Sequence, residues 1–210
     1  MVSIDNLSVE FSAKPLFSDI SYVINDHDRI ALVGKNGAGK STAAKLLTGI
    51  IRPNKGKIEV DGKDTSCMTI KEIGEQVGYV MQDPNIMIVK DLIKDEVGLA
   101  LTLRNMSQEQ IDARVKQSLE ACGLYKMRNW PVDSISYGQK KRVTIASILV
   151  LRPKMLLLDE PTAGQDLKHY TEIMDFLAQL NQQGVTVVLI THDMHLMLEY
   201  TPRAVVFHGG

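Results

Sequence analysis

Two hydrophobic periods divide the chain. Positions 2–11 (VSIDNLSVEF) and 17–24 (FSDISYVI) carry apolar residues largely at every second position, the period of a strand with one buried face. A turn is expected between them at Lys14 and Pro15. From Arg29 the pattern changes to short unbroken apolar runs. Arg29–Val33, Met155–Leu158 and Val185–Ile190 read as strands buried on both faces, with Val77–Met81, Arg203–Phe207 and the KIEV run inside GKIEVDG as further strands. Between them stand stretches of helical character. Lys40–Thr48 is one, stopped by Gly49. A second opens on a capping box, Ser107 with Gln110, and sets Ile111, Val115 and Leu119 on one face. Tyr137–Leu151 and Leu167–Gln183 are two more. Helices alternating with buried strands predict an α/β fold, with a mostly parallel sheet covered by helices and an antiparallel β subdomain at the N-terminus. The helical stretch from about 98 to 137 reads as an inserted lobe in a single domain 1–210, whose core is 1–97 and 138–210.

Composition narrows the classes. Of 210 residues 44% are apolar, enough for a sizeable core, and the net charge is −1. That balance carries no footprint of nucleic-acid binding. Cys67 and Cys122 lack metal-ligand spacing and fit a reducing compartment. No apolar run approaches membrane-spanning length and no secretory leader opens the chain. The expected location is the cytoplasm.

The run into Val33 ends in GKNGAGKST, Gly34–Thr42, which fits G-x-x-x-x-G-K-[ST] in its strand–loop–helix context. Gly34, Lys35, Asn36, Gly37, Ala38 and Gly39 form the loop. Glycines let successive N–H groups turn inward around phosphate oxygens, and the helix that follows adds its positive end. Lys40 can reach terminal phosphates, Ser41 offers a hydroxyl to Mg²⁺, and Thr42 completes the motif. The class is therefore a P-loop nucleoside-triphosphatase core. A second site element is MLLLDEP. It carries Asp159 and Glu160 at the carboxyl end of a buried strand, where open α/β sheets bind ligands. Asp159 suits Mg²⁺ coordination, and Glu160 can polarise a water for attack on the γ-phosphate.

Ile135-Ser136-Tyr137-Gly138-Gln139, about twenty residues before the acidic pair, resembles the LSGGQ signature of ATP-binding cassette (ABC) ATPases. It matches at the serine, the second glycine and the glutamine; Ile135 and Tyr137 replace the leucine and the first glycine. The resemblance implies that Ser136, Gly138 and Gln139 close over ATP held by a second cassette in a head-to-tail dimer, identical or not. It also implies that Gln82, in YVMQDP, is the glutamine sensing Mg²⁺ and the attacking water. His192, in LITHD, would contact the γ-phosphate, and Asp166 would make the dimer contact within Ala163–Asp166, a segment that departs from the family pattern at three of four positions. Phe11 stands where the family stacks a ring on adenine, and reads equally as core. His192 and His195 suggest a metal pair on one helical turn, but no third ligand is evident and a solvated helix start accounts for them better.

QDPN, SYGQKKRVTIASIL and DEPTAGQD are similar to energy-coupling factor (ECF) ATPases, in particular the second cassette of tandem forms. That likeness implies import of a vitamin or metal ion, and attachment to the cytoplasmic face of a membrane through a transmembrane subunit docked near 82–97. Met81, Ile86, Met87 and Ile88 fit such an adaptable apolar surface, or equally the interface under the lobe. The family usually continues beyond VVFHGG, so the 210 residues are expected to be one cassette of a longer polypeptide. The alternatives are a cassette ATPase of DNA maintenance and one of ribosome-bound translation control. The first would carry a long coiled coil and the second basic linker helices, and neither pattern occurs here.

Overall fold

The computed structural model describes residues 1–11, 14–35, 37–163, 167–193 and 198–207. Among these, five strands form a parallel sheet: β3 (Arg29–Gly34), β6 (Val77–Val80), β7 (Met155–Asp159), β8 (Thr186–Thr191) and β9 (Arg203–Phe207), in the order β6-β7-β8-β3-β9. The unbroken apolar runs have a direct cause. Met155 and Leu157 pack on one face of the sheet and Leu156 and Leu158 on the other, each against its own core. A strand covered on both sides cannot alternate with polar residues.

The first core lies between the sheet, helix α1 (Lys40–Leu47) and a second, antiparallel sheet. That sheet has the order β2-β1-β4-β5, from β1 (Val2–Phe11), β2 (Lys14–Ile24), β4 (Lys55–Val60) and the short β5 (Lys63–Asp64). Lys14 and Pro15, expected as a turn, are instead the first residues of β2, with Pro15 opposite Glu10. β2 is an edge strand, so a residue without an N–H leaves no gap in the ladder. Residues 12–13 lie outside the described residues.

Helices make the second core. α4 (Ile93–Thr102), α5 (Gln108–Ala121), α6 (Tyr137–Leu149) and α7 (Leu167–Gln182) pack their apolar stripes together and onto the sheet. The α5 stripe is the expected one, Ile111, Val115 and Leu119, behind the Ser107–Gln110 capping box. α4 begins at Ile93, ahead of the expected start of the helical stretch, and buries Ile93, Val97 and Leu101 at helical spacing. Its cap, Leu92, makes no side-chain bond, and Gly98 in its middle reads as a breaker. A Cβ on Gly98 would stand 3.3 Å from Ile111 and 3.4 Å from Val115, so the missing side chain admits α5. Two short helices also went unpredicted, α2 (Ile70–Gln76) and α3 (Pro84–Met87). α2 nonetheless has a complete capping box, Thr69 with Glu72, and Asp83 caps α3 ahead of Pro84. No helix among the described residues is long and apolar enough to cross a membrane.

Candidate nucleotide site

β3 delivers the chain into the glycine loop, and α1 leaves it. Gly39 caps α1 in the left-handed conformation, φ 92°, and a Cβ there would stand 2.8 Å from the Phe17 ring. Both facts require glycine. Phe17 in turn sits edge-on to Phe207 at 5.8 Å, so an aromatic pair supports the loop from below. At the other end a Cβ on Gly34 would collide with the carbonyl oxygen of Phe207 at 2.5 Å. Lys40 is buried, and its ammonium donates to the carbonyls of Gly34 at 2.5 Å and Lys35 at 3.2 Å. The cation thus folds back over its own loop, whose Ala38 N–H donates to Lys35 O at 3.1 Å.

β7 brings the acidic pair to the same level. Asp159 and Glu160 are both buried. Tyr79, on the neighbouring strand β6 and in register with Leu157, donates its hydroxyl to Asp159 Oδ2 at 3.0 Å. Burial and the Asp159 charge push the Tyr79 phenol up, so it stays a donor. Glu160 adopts φ 46°, a left-handed conformation that costs a side-chain-bearing residue about 1 kcal/mol or more. Its N–H donates to Ile190 O at the end of β8, at 2.9 Å. Its carboxylate lies 2.7 Å from His192 Nδ1 and accepts from Thr191 Oγ1 at 3.4 Å. The strained turn therefore aims the carboxylate across the sheet edge toward β8. His192 is itself 60% exposed on its side chain and reaches the open space.

These groups surround one cleft of about 380 Å³, lined by Leu16, the loop residues Lys35, Gly37, Gly39, Lys40, Ser41 and Thr42, and Gln82, Asp159, Glu160 and His192. Residues up to 176 positions apart, from Leu16 to His192, meet in this cleft at the carboxyl ends of the parallel strands.

Ser136, Gly138 and Gln139 stand elsewhere. They line a separate hollow of about 130 Å³ with Gly123, Met127 and Arg142. Ser136 caps α6 in a capping box: its hydroxyl accepts the Gln139 N–H at 3.3 Å, and Gln139 Oε1 accepts the Ser136 N–H at 2.9 Å. Tyr137, 41% exposed, donates to Gln82 O at 3.4 Å. Asn36, Asp166 and His195 lie outside the described residues, as does the side chain of Phe11, whose backbone ends β1. Of the apolar segment after Gln82, Met87 and Ile88 pack against the helical core, while Ile86 is 66% exposed and Val89 68% exposed. Among the described residues no group of three His, Cys, Asp or Glu side chains is placed to hold a metal.

Nothing local marks Leu16 and Phe17, on an alternating strand, as the floor of a loop, or Tyr79, on the short strand β6, as the partner of a carboxylate. Lys141 is unmarked as well. It follows the signature on a helix and has the composition of a solvent-facing position, yet it is 1% exposed. Burial pushes its pKa down to about 8 against the opposing pull of Asp159, Asp83 and Glu160.

A family model described as "ABC transporter" matches residues 17–163, a span that holds the glycine loop, the signature and the acidic pair. The chain belongs to the ABC transporter family. A Clostridium perfringens relative named "Putative ABC transporter ATP-binding protein" is 54% identical over 211 residues, which cover 100% of this chain and 37% of the relative. An Enterococcus faecalis relative of the same name is 53% identical with the same coverage. The chain thus spans little more than a third of the length of the curated relatives it matches. Among solved structures, cbiO1 of C. perfringens, described as part of the ABC transporter complex cbiONQ, superposes with a TM-score of 0.92. It is 32% identical, over 98% of this chain and 83% of that one. The ATP-binding cassette MJ0796, solved as a dimer in a post-hydrolysis state with ADP and phosphate, gives 0.84 at 26% identity, over 99% of this chain and 94% of that one. The cassette fold, with its parallel sheet, N-terminal antiparallel sheet and helices, is shared with both. In class the chain is a cassette domain of that family.

Proposed function

We propose that this cassette hydrolyses Mg-ATP at a site shared between two cassettes and so powers a membrane transporter that imports a micronutrient. The observation that carries the reading is the single cleft in which a loop lysine, a serine hydroxyl, two buried carboxylates, a glutamine and a histidine face one space. Backbone N–H groups of Lys35–Thr42 and the Lys40 ammonium take the phosphates. Lys40 already donates to two loop carbonyls, so ATP exchanges those acceptors for phosphate oxygens. Leu16 lines the cleft in the antiparallel part, where Phe11 is the candidate for the adenine face.

The donor set fits Mg²⁺. Ser41, Asp159 and Gln82 supply hard oxygens from three elements, too few to close a protein cage and suited to an ion that keeps water and phosphate ligands. Held there, Mg²⁺ would offset the negative charge of the nucleotide's phosphates. Tyr79 orients Asp159 through its hydroxyl bond. Glu160 accepts a proton from the attacking water, and His192, hydrogen-bonded to it, fixes the carboxylate and reaches toward the γ-phosphate.

Ser136, Gly138 and Gln139 serve the nucleotide of the partner cassette, since they line a hollow apart from their own glycine loop; Asp166 joins that contact in this reading. ATP then favours the closed dimer because contacts from both chains exist only there. A Ser136→Arg chain forfeits the cap, about 1 kcal/mol, and keeps its own loop intact. It should bind Mg-ATP and fail to hydrolyse it. Mixed with a Lys40→Ala chain it should recover part of the turnover, because one of the two sites in the mixed dimer is whole. Normal turnover by Ser136→Arg alone contradicts the shared site.

The likeness to cbiO1, and the ECF-type residues around Gln82 and the signature, support import of a vitamin or metal ion through a transmembrane subunit, with the cassette peripheral on the cytoplasmic face. The dock is the segment 82–97, where Ile86 and Val89 offer exposed anchors. Ile86→Asp should keep the melting temperature and ATPase rate of the isolated protein and abolish coupled uptake, since a carboxylate buried unpaired at a docked helix costs several kcal/mol. Met87→Asp should instead lower the melting temperature, because Met87 packs on the helical core and its sulfur accepts the Met81 N–H at 3.2 Å. Uptake unchanged in Ile86→Asp sinks the dock.

A further inference from the structure

The opening of α6 grips the segment that carries Gln82. Tyr137 donates to Gln82 O at 3.4 Å, and Lys140 donates to Asn85 Oδ1 at 3.3 Å. Lys141 donates to Met81 O at 3.4 Å and, with the same ammonium, to Glu160 O at 3.4 Å. Tyr137 is exposed and Lys140 sits at the edge, but Lys141 is among the largest fully buried side chains described. A lysine inside a core is costly to desolvate, and a methionine would fill the same volume without that cost. Its reach explains the position. Met81 is the residue before Gln82, Glu160 follows Asp159, and α6 itself is capped by Ser136. Three functional segments from distant parts of the chain converge on one cation.

We propose that Lys141 is a positioning residue of the hydrolytic site: its ammonium ties the backbone of Met81 and of Glu160 to α6, and so sets Gln82 and the Glu160 carboxylate relative to each other and to the signature turn. Side chains of Met, Leu or Gln at this place would keep the packing and lose the two-point anchor. The proposal rests on the hydrolytic reading above.

The test uses K141M and K141R in the full chain. K141M should keep the melting temperature and bind ATP within about threefold of wild type, while kcat falls roughly 10- to 100-fold, the usual effect of losing a group that orients the reacting residues. In the nucleotide-free protein, amide exchange should speed up at 81–85 and 160–163 and stay unchanged in α5. K141R, which can donate to both carbonyls, should recover part of kcat. Wild-type kcat in K141M, or a lowered melting temperature with exchange raised everywhere and kcat per folded molecule unchanged, overturns the proposal. If K141M does not fold, K141R and the neutral K141Q decide. A higher kcat in K141R at equal ATP affinity supports the anchor, and equal rates refute it. Wild-type protein that releases no phosphate defeats the hydrolytic reading itself, a result distinct from K141M matching an active wild type.

Discussion

Glu160→Gln should lose turnover by about 10²–10⁴-fold while keeping its affinity for Mg-ATP. The amide side chain preserves the shape of the turn, and the backbone N–H of residue 160 still meets Ile190 O. The side chain can also still bond His192 and Thr191, the two partners of the carboxylate. Only the proton-accepting charge disappears, so binding and hydrolysis separate. The variant should gather as an ATP-bound dimer, since the closed state no longer decays by hydrolysis. Steady-state phosphate release and size-exclusion chromatography in Mg-ATP measure both effects. Turnover near wild type would remove Glu160 from the mechanism and leave His192 without its proposed role.

Lys40→Ala should act one step earlier. Its ammonium is the buried cation of the glycine loop, and the two carbonyls it now bonds are ordinary loop acceptors. Each charge-assisted bond lost to a phosphate weakens binding by about 1.5–3 kcal/mol, or roughly 10- to 150-fold in affinity. Titration with a fluorescent ATP analogue should therefore show a large loss of affinity for Lys40→Ala and almost none for Glu160→Gln. Equal affinities of Lys40→Ala and wild type would refute the cradle. The melting temperature without nucleotide should change little, because alanine keeps helical propensity at the first position of α1.

Much of the molecule was legible in its hydrophobic pattern. The run into Asp159 is unbroken because both faces of β7 meet a core, and the run into Val33 is buried throughout; that pattern needs no distant information. The glycine loop was legible for a related reason: backbone conformation and close approach at Gly34 and Gly39 admit only glycine, so the chemistry is written locally. What escaped depends on partners far away in sequence. Tyr79 orients Asp159 across 80 residues, and Phe17 props a loop from another sheet. Lys141 looks like surface until β6 and β7 are seen to end beside it. α4 hid its start because Leu92 offers no capping oxygen, whereas the unread α2 carried a full Thr69–Glu72 signal. Pro15 reads as a turn former, and only the edge position of β2 makes it a strand residue.

The geometry also alters two expectations in kind. His192 meets Glu160 directly, so histidine and carboxylate form one unit before any phosphate arrives. The apolar segment after Gln82 divides between uses, with Met87 and Ile88 turned to the helical core and Ile86 and Val89 to solvent.

The central claim is that this cleft holds Mg-ATP and that Glu160 drives its hydrolysis. Release of inorganic phosphate from Mg-ATP, followed over many turnovers for wild type and Glu160→Gln at saturating nucleotide, tests it most directly. Continuous release by wild type, with a rate at least a hundredfold lower in a variant that binds ATP equally well, is the predicted result. Equal rates for the two proteins, or no release above background by wild type, would contradict it.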